Sequence, residues 1–240
     1  KHQDTKNLGK LGDGEPYIEG SFQKKGWDAV NDLIKASKEK DTISITLNGA
    51  KVLPATVLSE IKGKDISLNL DMENGFIWKI NGTSITAETP ADTDLSVTNT
   101  AEYIPAALYS LISTNQNDFG FHLGRSGAFD FPAVLSVKAD ASCAGLMANL
   151  FWYDVENGVL QCIQTVTVGG AFERSIPYAE FILSKGQDYF IAFGTESLNG
   201  RVIHTDGSIT DSDGNYTRPA KAVIKNVSVS KNSVKMVLNE

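Results

Sequence analysis

The sequence predicts an α+β fold in which two strand-helix-strand-strand repeats, 43–80 and 94–131, are followed by an antiparallel β-sheet or sandwich. Three observations carry this reading. Ile43 to Ile61 aligns with Asp94 to Ile112 without a gap, and six of nineteen positions are identical: Asn48/Asn99, Ala50/Ala101, Pro54/Pro105, Ala55/Ala106, Ser59/Ser110 and Ile61/Ile112. Alternate apolar residues in ISLNL (Ile66 to Leu70) and FGFHL (Phe119 to Leu123) mark strands with one buried face, as do Phe76/Trp78/Ile80 and Phe129/Phe131/Ala133. Beyond Phe131 the chain is a series of β-rich runs separated by short turn signals, the pattern of antiparallel pairing.

Taken in order, residues 1–25 read as a polar N-terminal arm and 26–200 as the main domain. Trp27, Val30, Leu33, Ile34 and Ser37 fall at helical spacing, with Asp28, Asp32, Lys35 and Lys38 on the other side. In the first repeat Pro54 suits a first helical position, Val57, Leu58 and Ile61 form a one-sided stripe, and Gly63 can close the helix in the left-handed region. Pro105, Leu108, Leu111 and Ile112 predict its counterpart. Asn74-Gly75 and Ser126-Gly127 are the expected hairpin turns, the first supplying the positive φ angles of a tight connection. Strands are then expected over Val134–Ala139, Leu146–Tyr153, Val159–Val168, Ala171–Pro177 and Tyr189–Phe193, with turns at Asp154–Gly158, Gly169-Gly170 and Lys185–Asp188. Residues 201–240 are expected to be a trailing β segment or the start of an Ig-like domain.

At 240 residues and 41% hydrophobic content the chain can bury a core of its own. Its net charge of −7, from 22 basic and 29 acidic residues, argues against nucleic acid as a partner, because no basic cluster is present to neutralise phosphates. No apolar run is long enough to span a bilayer, so membrane insertion is not expected. Cys143 and Cys162 read as buried thiols, since strand register would set position 150, not 143, opposite Cys162.

Candidate chemistry is sparse. Of the three histidines, His2 lies in the arm and His122 alternates with core residues, which points it to the opposite face; His204 sits among turn formers. No Gly-x-Ser-x-Gly, His-Glu-x-x-His or Cys-x-x-Cys pattern occurs. The carboxylates Asp71, Glu73, Asp154 and Glu156 lie at hairpin turns, where solvation is the ordinary role. Asp206, Asp211, Asp213 and Asn215 offer oxygen ligands at alternate positions, which suits calcium, but the loop lacks the EF-hand glycine and glutamate, and two plain β-turns explain it as well. Trp152 and Tyr153 are the aromatics with a claim to stack on a sugar ring, provided one face of their strand is uncovered. The chain is therefore expected not to be an enzyme and to need no cofactor, calcium being the one open alternative.

GWDAVNDLIKASKEKDTISITLNGAKVLPATVLSEIKGKDISLNLDMENGFIWKINGTSIT, AGLMANLFWYDVENGVLQCIQ and the YFIAF strand together resemble a module of large secreted and cell-surface proteins of anaerobic Gram-positive bacteria, commonly found beside bacterial Ig-like domains. The resemblance covers roughly Gly26 to Gly194, and the tail KAVIKNVSVSKNSVKMVLNE is similar to the linker and first strands of such Ig-like domains. It implies an extracellular, monomeric module of a larger chain, serving adhesion, ligand binding or spacing, with a glycan or a surface protein as partner. The alternative is an accessory carbohydrate-binding domain of a secreted glycoside hydrolase. No catalytic or binding residue transfers, because the recurring positions are those already assigned to core and turns. Cys143, Cys162 and the long turn region Arg201 to Pro219 depart from the module's usual pattern.

Overall fold

The structure, a computed structural model, describes residues 13–170, 176–218, 224–230 and 233–238. His2 and part of the expected strand at 171–177 lie outside them. The fold is mostly β, with a large mixed sheet and three short helices, so the expected α+β balance shifts toward strand. The chain opens with strands β1 (Tyr17–Ile18) and β2 (Ser21–Lys25), helix α1 (Gly26–Ala36), β3 (Thr42–Thr46), β4 (Val52–Leu53), helix α2 (Ala55–Ile61), β5 (Ser67–Asp71) and β6 (Phe76–Asn81). Residues 17–25, expected in the arm, instead pair along β3 and close that edge of the sheet. They carry too few residues for a periodic signal.

The first repeat folds as a β-α-β unit with an added hairpin: β3 and β5 are parallel, Ile43 beside Leu68, and β5 and β6 antiparallel, Leu70 beside Trp78. α2 covers them with Val57, Leu58 and Ile61, and α1 with Val30 and Ile34. Pro54 is the N-cap of α2, one position before the expected site, and Asp92 Oδ1 accepts the Ala55 N–H at 2.7 Å. The β5–β6 connection is wider than a two-residue turn. Met72 N–H donates to Phe76 O, and positive φ falls on Glu73 (63°) and Gly75 (93°), not on Asn74. Gly75→Val forces a branched side chain into that left-handed conformation, and its predicted cost is about 1–3 kcal/mol, read from the urea-unfolding midpoint. A midpoint equal to that of the parent would refute the strained turn.

Residues 94–131, expected to repeat the plan of 43–80, form a helix but no hairpin of their own. Short strands β7 (Thr93–Asp94) and β8 (Val97–Thr98) precede α3 (Ala106–Ile112), which matches α2 in length and in its proline N-cap, Pro105. The two expected strands, around Phe121 and Phe131, then merge into β9 (Phe119–Lys138), a single strand of 20 residues. Its partner is the 18-residue β13 (Pro177–Gly194), which pairs with both ends of β9: Phe121 with Tyr189, and Leu135 with Phe181. The expected turns at Ser126-Gly127 and Lys185–Asp188 are bulges in this ribbon, not reversals. Gly186 permits the second, since a Cβ there would lie 1.6 Å from Arg125 O. Turn formers thus encode a bend without ending the strand.

β10 (Met147–Asp154) and β11 (Val159–Thr167) form a hairpin that continues the same sheet from β13, with β12 (Gly169–Gly170) beside the start of β13. Beyond β11 come the short strands β14 (Val202–Ile203), β15 (Ile209–Thr210) and β16 (Tyr216–Thr217). β17 (Ile224–Ser230) and β18 (Ser233–Leu238) pair with each other as a separate two-stranded sheet. Two cores lie on opposite faces. Under α1 and α2, Ile45, Leu70, Trp78, Phe121, Leu135, Phe181 and Tyr189 pack together; under α3, Phe151, Tyr153, Leu160, Cys162, Phe190 and Ile203 do. Cys143 belongs to the first core and Cys162 to the second, so both remain free thiols. Cys162 stands opposite Phe151, one place from the expected register, because the turn pairs Asp154 with Val159; the bulge at Leu150/Phe151 comes only beyond this pair. Burial pushes the Cys162 thiol up to about 11.

Candidate functional site

α3 covers only part of its face of the sheet, and the remainder carries a broad concavity. Side chains alternate along each strand, so those pointing away from α1 and α2 line up across strands as rungs. One rung runs Ser44, Asn69, Lys79, Val134, Ile182 over β3, β5, β6, β9 and β13. The next runs Asp71, Ile77, Ser136, Glu180. All of these but Val134 and Ile182, together with Tyr178 and the edge residue Glu19, line an open groove of about 630 Å³; Val134 and Ile182 line a second concavity of about 500 Å³ that shares Asn69 and Lys79 with it. Five strands at about 4.8 Å spacing make the floor roughly 19 Å across.

Most of the groove's polar groups are uncommitted. The Ser44 and Ser136 hydroxyls, the Asn69 amide and the Tyr178 hydroxyl make no hydrogen bond with other described residues. Asp71 uses Oδ1 to accept the Glu73 N–H at 2.7 Å, leaving Oδ2 to the groove. Lys79 forms an ion pair with Glu180, which leaves the carboxylates of Asp71 and Glu19 to set the field. The floor grades from hydroxyl and amide groups on β3 and β5 to Val134, Ile182 and Tyr178 on β9 and β13. Ile182 is 59% exposed. Beside it the Gln164 side-chain amide imitates a strand: Oε1 accepts the Ile182 N–H at 2.9 Å and Nε2 donates to Ile182 O. That amide caps the edge of β13 that β10 leaves unpaired.

The residues singled out from sequence lie elsewhere. Tyr153 is buried in the core under α3, and Trp152 points to the opposite face. Both faces of β10 are covered, so the pair offers no platform for a sugar. The Lys185 ammonium caps the Trp152 ring 3.1 Å from its centroid, and desolvation there lowers the Lys185 pKa against the opposing pull of Asp154. The calcium set does not assemble. No group of three or more His, Cys, Asp or Glu residues converges on a metal position among the described residues. Asp206 accepts from the Ser208 N–H and hydroxyl in the β14–β15 turn, whereas Asp211 accepts from the backbone N–H groups of Asp213 and Asn215 and from the Asn215 side chain in the next. These bonds hold both carboxyls below their ordinary pKa, and the loop consists of two successive Asx-type turns.

His122 does point away from the first core, but it is not an exposed strand histidine. Its Nδ1 lies 2.7 Å from Oδ1 of Asp188, which is fully buried, and its Nε2 lies 3.8 Å from Glu102 Oε2. Asp188 Oδ2 accepts the N–H groups of Tyr103 and Ile104, just ahead of α3. The carboxylate therefore pins α3 to the β9–β13 ribbon; burial, with the Asp188 charge as a lesser cause, pushes the Tyr109 hydroxyl up to about 12. No hydroxyl or thiol of a described residue bonds to His122 Nε2. His204 Nε2 meets Thr210 Oγ1 at 2.9 Å across the β14–β15 hairpin. Among the described residues no helix is long and apolar enough to cross a membrane. Comparisons of the chain with protein-family models, with curated proteins and with solved structures find no match.

Proposed function

We propose that this chain is a non-catalytic recognition module of a secreted or cell-surface bacterial protein, serving adhesion or ligand binding through the open face of its sheet. One observation carries the reading: a broad groove of half-buried, uncommitted hydroxyl, amide and carboxylate groups stands on a rigid sheet. The resemblance to modules of Gram-positive surface proteins supports the extracellular setting. In the same reading 43–80 and 94–131 are two versions of one plan, supported by the matched helices Ala55–Ile61 and Ala106–Ile112. A second reading, an accessory carbohydrate-binding domain of a secreted glycoside hydrolase, is favoured by the hydroxyl and amide character of the rungs.

The test is binding of the labelled chain to bacterial cell walls and to extracellular matrix, beside Asn69→Trp, which fills the groove. The expected result is saturable binding that Asn69→Trp abolishes, with the melting midpoint preserved. Equal binding by both proteins, or turnover of glycosidase, esterase or peptidase substrates, would overturn the proposal.

A further inference from the structure

Resting on that recognition reading, we infer that the groove takes a neutral, extended oligosaccharide laid across the strands, along the rung Ser44, Asn69, Lys79, Val134, Ile182. Three features of the site select this chemistry. The first is charge: Glu19 and Asp71 face the groove while its one lysine is tied to Glu180. A sulfated, phosphorylated or uronic-acid polymer would meet a repulsive field, and nothing on the floor offers the arginine forks that recognise such anions.

The second is hydrogen-bonding grade. Ser44 and Asn69 on the rung present both donors and acceptors at short reach, already positioned by strands whose other faces are buried in the core. A polyhydroxylated ligand can satisfy donors and acceptors alike. A protein partner would be expected to use a deep apolar pocket for an aromatic or aliphatic anchor, and this floor has none, being shallow and polar over β3, β5 and β6.

The third is the apolar end. Val134 and Ile182 give the C–H face of a sugar a surface to pack on, while its hydroxyl rim meets the amide and hydroxyl groups. The bound chain would run perpendicular to the strands. A peptide adding to a sheet edge would run parallel to them, and the unpaired edge of β13 beside the groove is capped by Gln164.

Calorimetric titration of the full chain with neutral hexose and N-acetylhexosamine oligosaccharides, and with sulfated forms of the same backbones, tests the assignment. Saturable binding of at least one neutral oligosaccharide is expected, weakened about five-fold or more by Asn69→Ala and by Ile182→Ala at unchanged melting midpoint, with the sulfated forms bound more weakly. No binding of any neutral oligosaccharide, tighter binding of a sulfated form, or indifference to both variants would overturn it. If the glycans fail while Asn69→Trp still abolishes binding to cell walls or matrix, the oligosaccharide assignment falls and the recognition module stands; if both fail, both fall.

Discussion

Trp78→Ala is expected to lower the stability of the fold by about 3–5 kcal/mol, the range for truncating a buried aromatic ring. Trp78 is 1% exposed and sits in β6 opposite Leu135, near the end of β9. Its ring meets Phe129 edge-on at 5.8 Å, and its Nε1–H donates to Leu95 O at 2.9 Å. Truncation therefore opens a cavity in the core under α1 and α2, and it also frees the loop that leads into the second repeat. A domain of this size is stable by about 5–15 kcal/mol in all, so the variant would retain a fraction of that margin. Trp78→Phe restores most of the volume and loses only the hydrogen bond, and its loss is expected near 1–2 kcal/mol. Chemical unfolding of the three proteins checks the order. If Trp78→Ala unfolds within 1 kcal/mol of the parent, the ring does not stand where the two halves of the sheet meet.

The amphipathic parts of this fold were legible in sequence, because burial on one face writes a period into the residues. Leu68 and Leu70, Phe76, Trp78 and Ile80, and the stripe Val57, Leu58, Ile61 all lie in the core as their spacing predicted. The failures share a physical origin. Whether Ser126-Gly127 reverses the chain or only bends it depends on the partner strand, and β13 spans both halves of β9 to hold them in line. Local turn propensity carries no information about that partner. Likewise Tyr153 looked available for a ligand until α3 was seen to cover its face, a contact between elements more than forty residues apart in the chain.

The groove was hidden for the complementary reason. Ser44, Asn69 and Ser136 each look like the unremarkable outward residue of an alternating strand, and only the pairings Ser44 with Asn69, Asn69 with Lys79 and Ile77 with Ser136 bring them onto one surface. One sign was present in the letters. Outward positions of β3 and β5 carry Ser and Asn where a plainly solvated sheet would be expected to carry longer charged side chains. Asp188 was obscured differently: within Lys185–Asp188 it read as a turn residue, though the structure buries it completely.

That burial gives Asp188→Ala the second large effect. One carboxylate oxygen serves two backbone N–H groups, those of Tyr103 and Ile104, the latter at 3.0 Å, and the other faces His122 Nδ1 at 2.7 Å. Alanine removes every acceptor at once and leaves the Ile104 N–H and the His122 ring without their partner at a buried position. Losing one side of a buried polar network in this way costs about 3–5 kcal/mol. The damage should be local before it is global. α3 rests on Phe190 through Tyr109, ring centroids 4.9 Å apart, and Ile104 packs in the same core, but the hydrogen bonds that tie the chain just before that helix to β13 are those to Asp188, so the Tyr103 and Ile104 amides should exchange with solvent far faster in the variant. Asp188→Asn keeps one acceptor oxygen for the two N–H groups and turns its NH₂ toward an imidazole nitrogen that can accept, so its cost is expected to be about 1–3 kcal/mol. Hydrogen exchange and urea unfolding of both variants separate the roles. Slow exchange at Tyr103 and Ile104 in Asp188→Ala would show that α3 is held by its apolar face alone, and the buried carboxylate would then need another explanation.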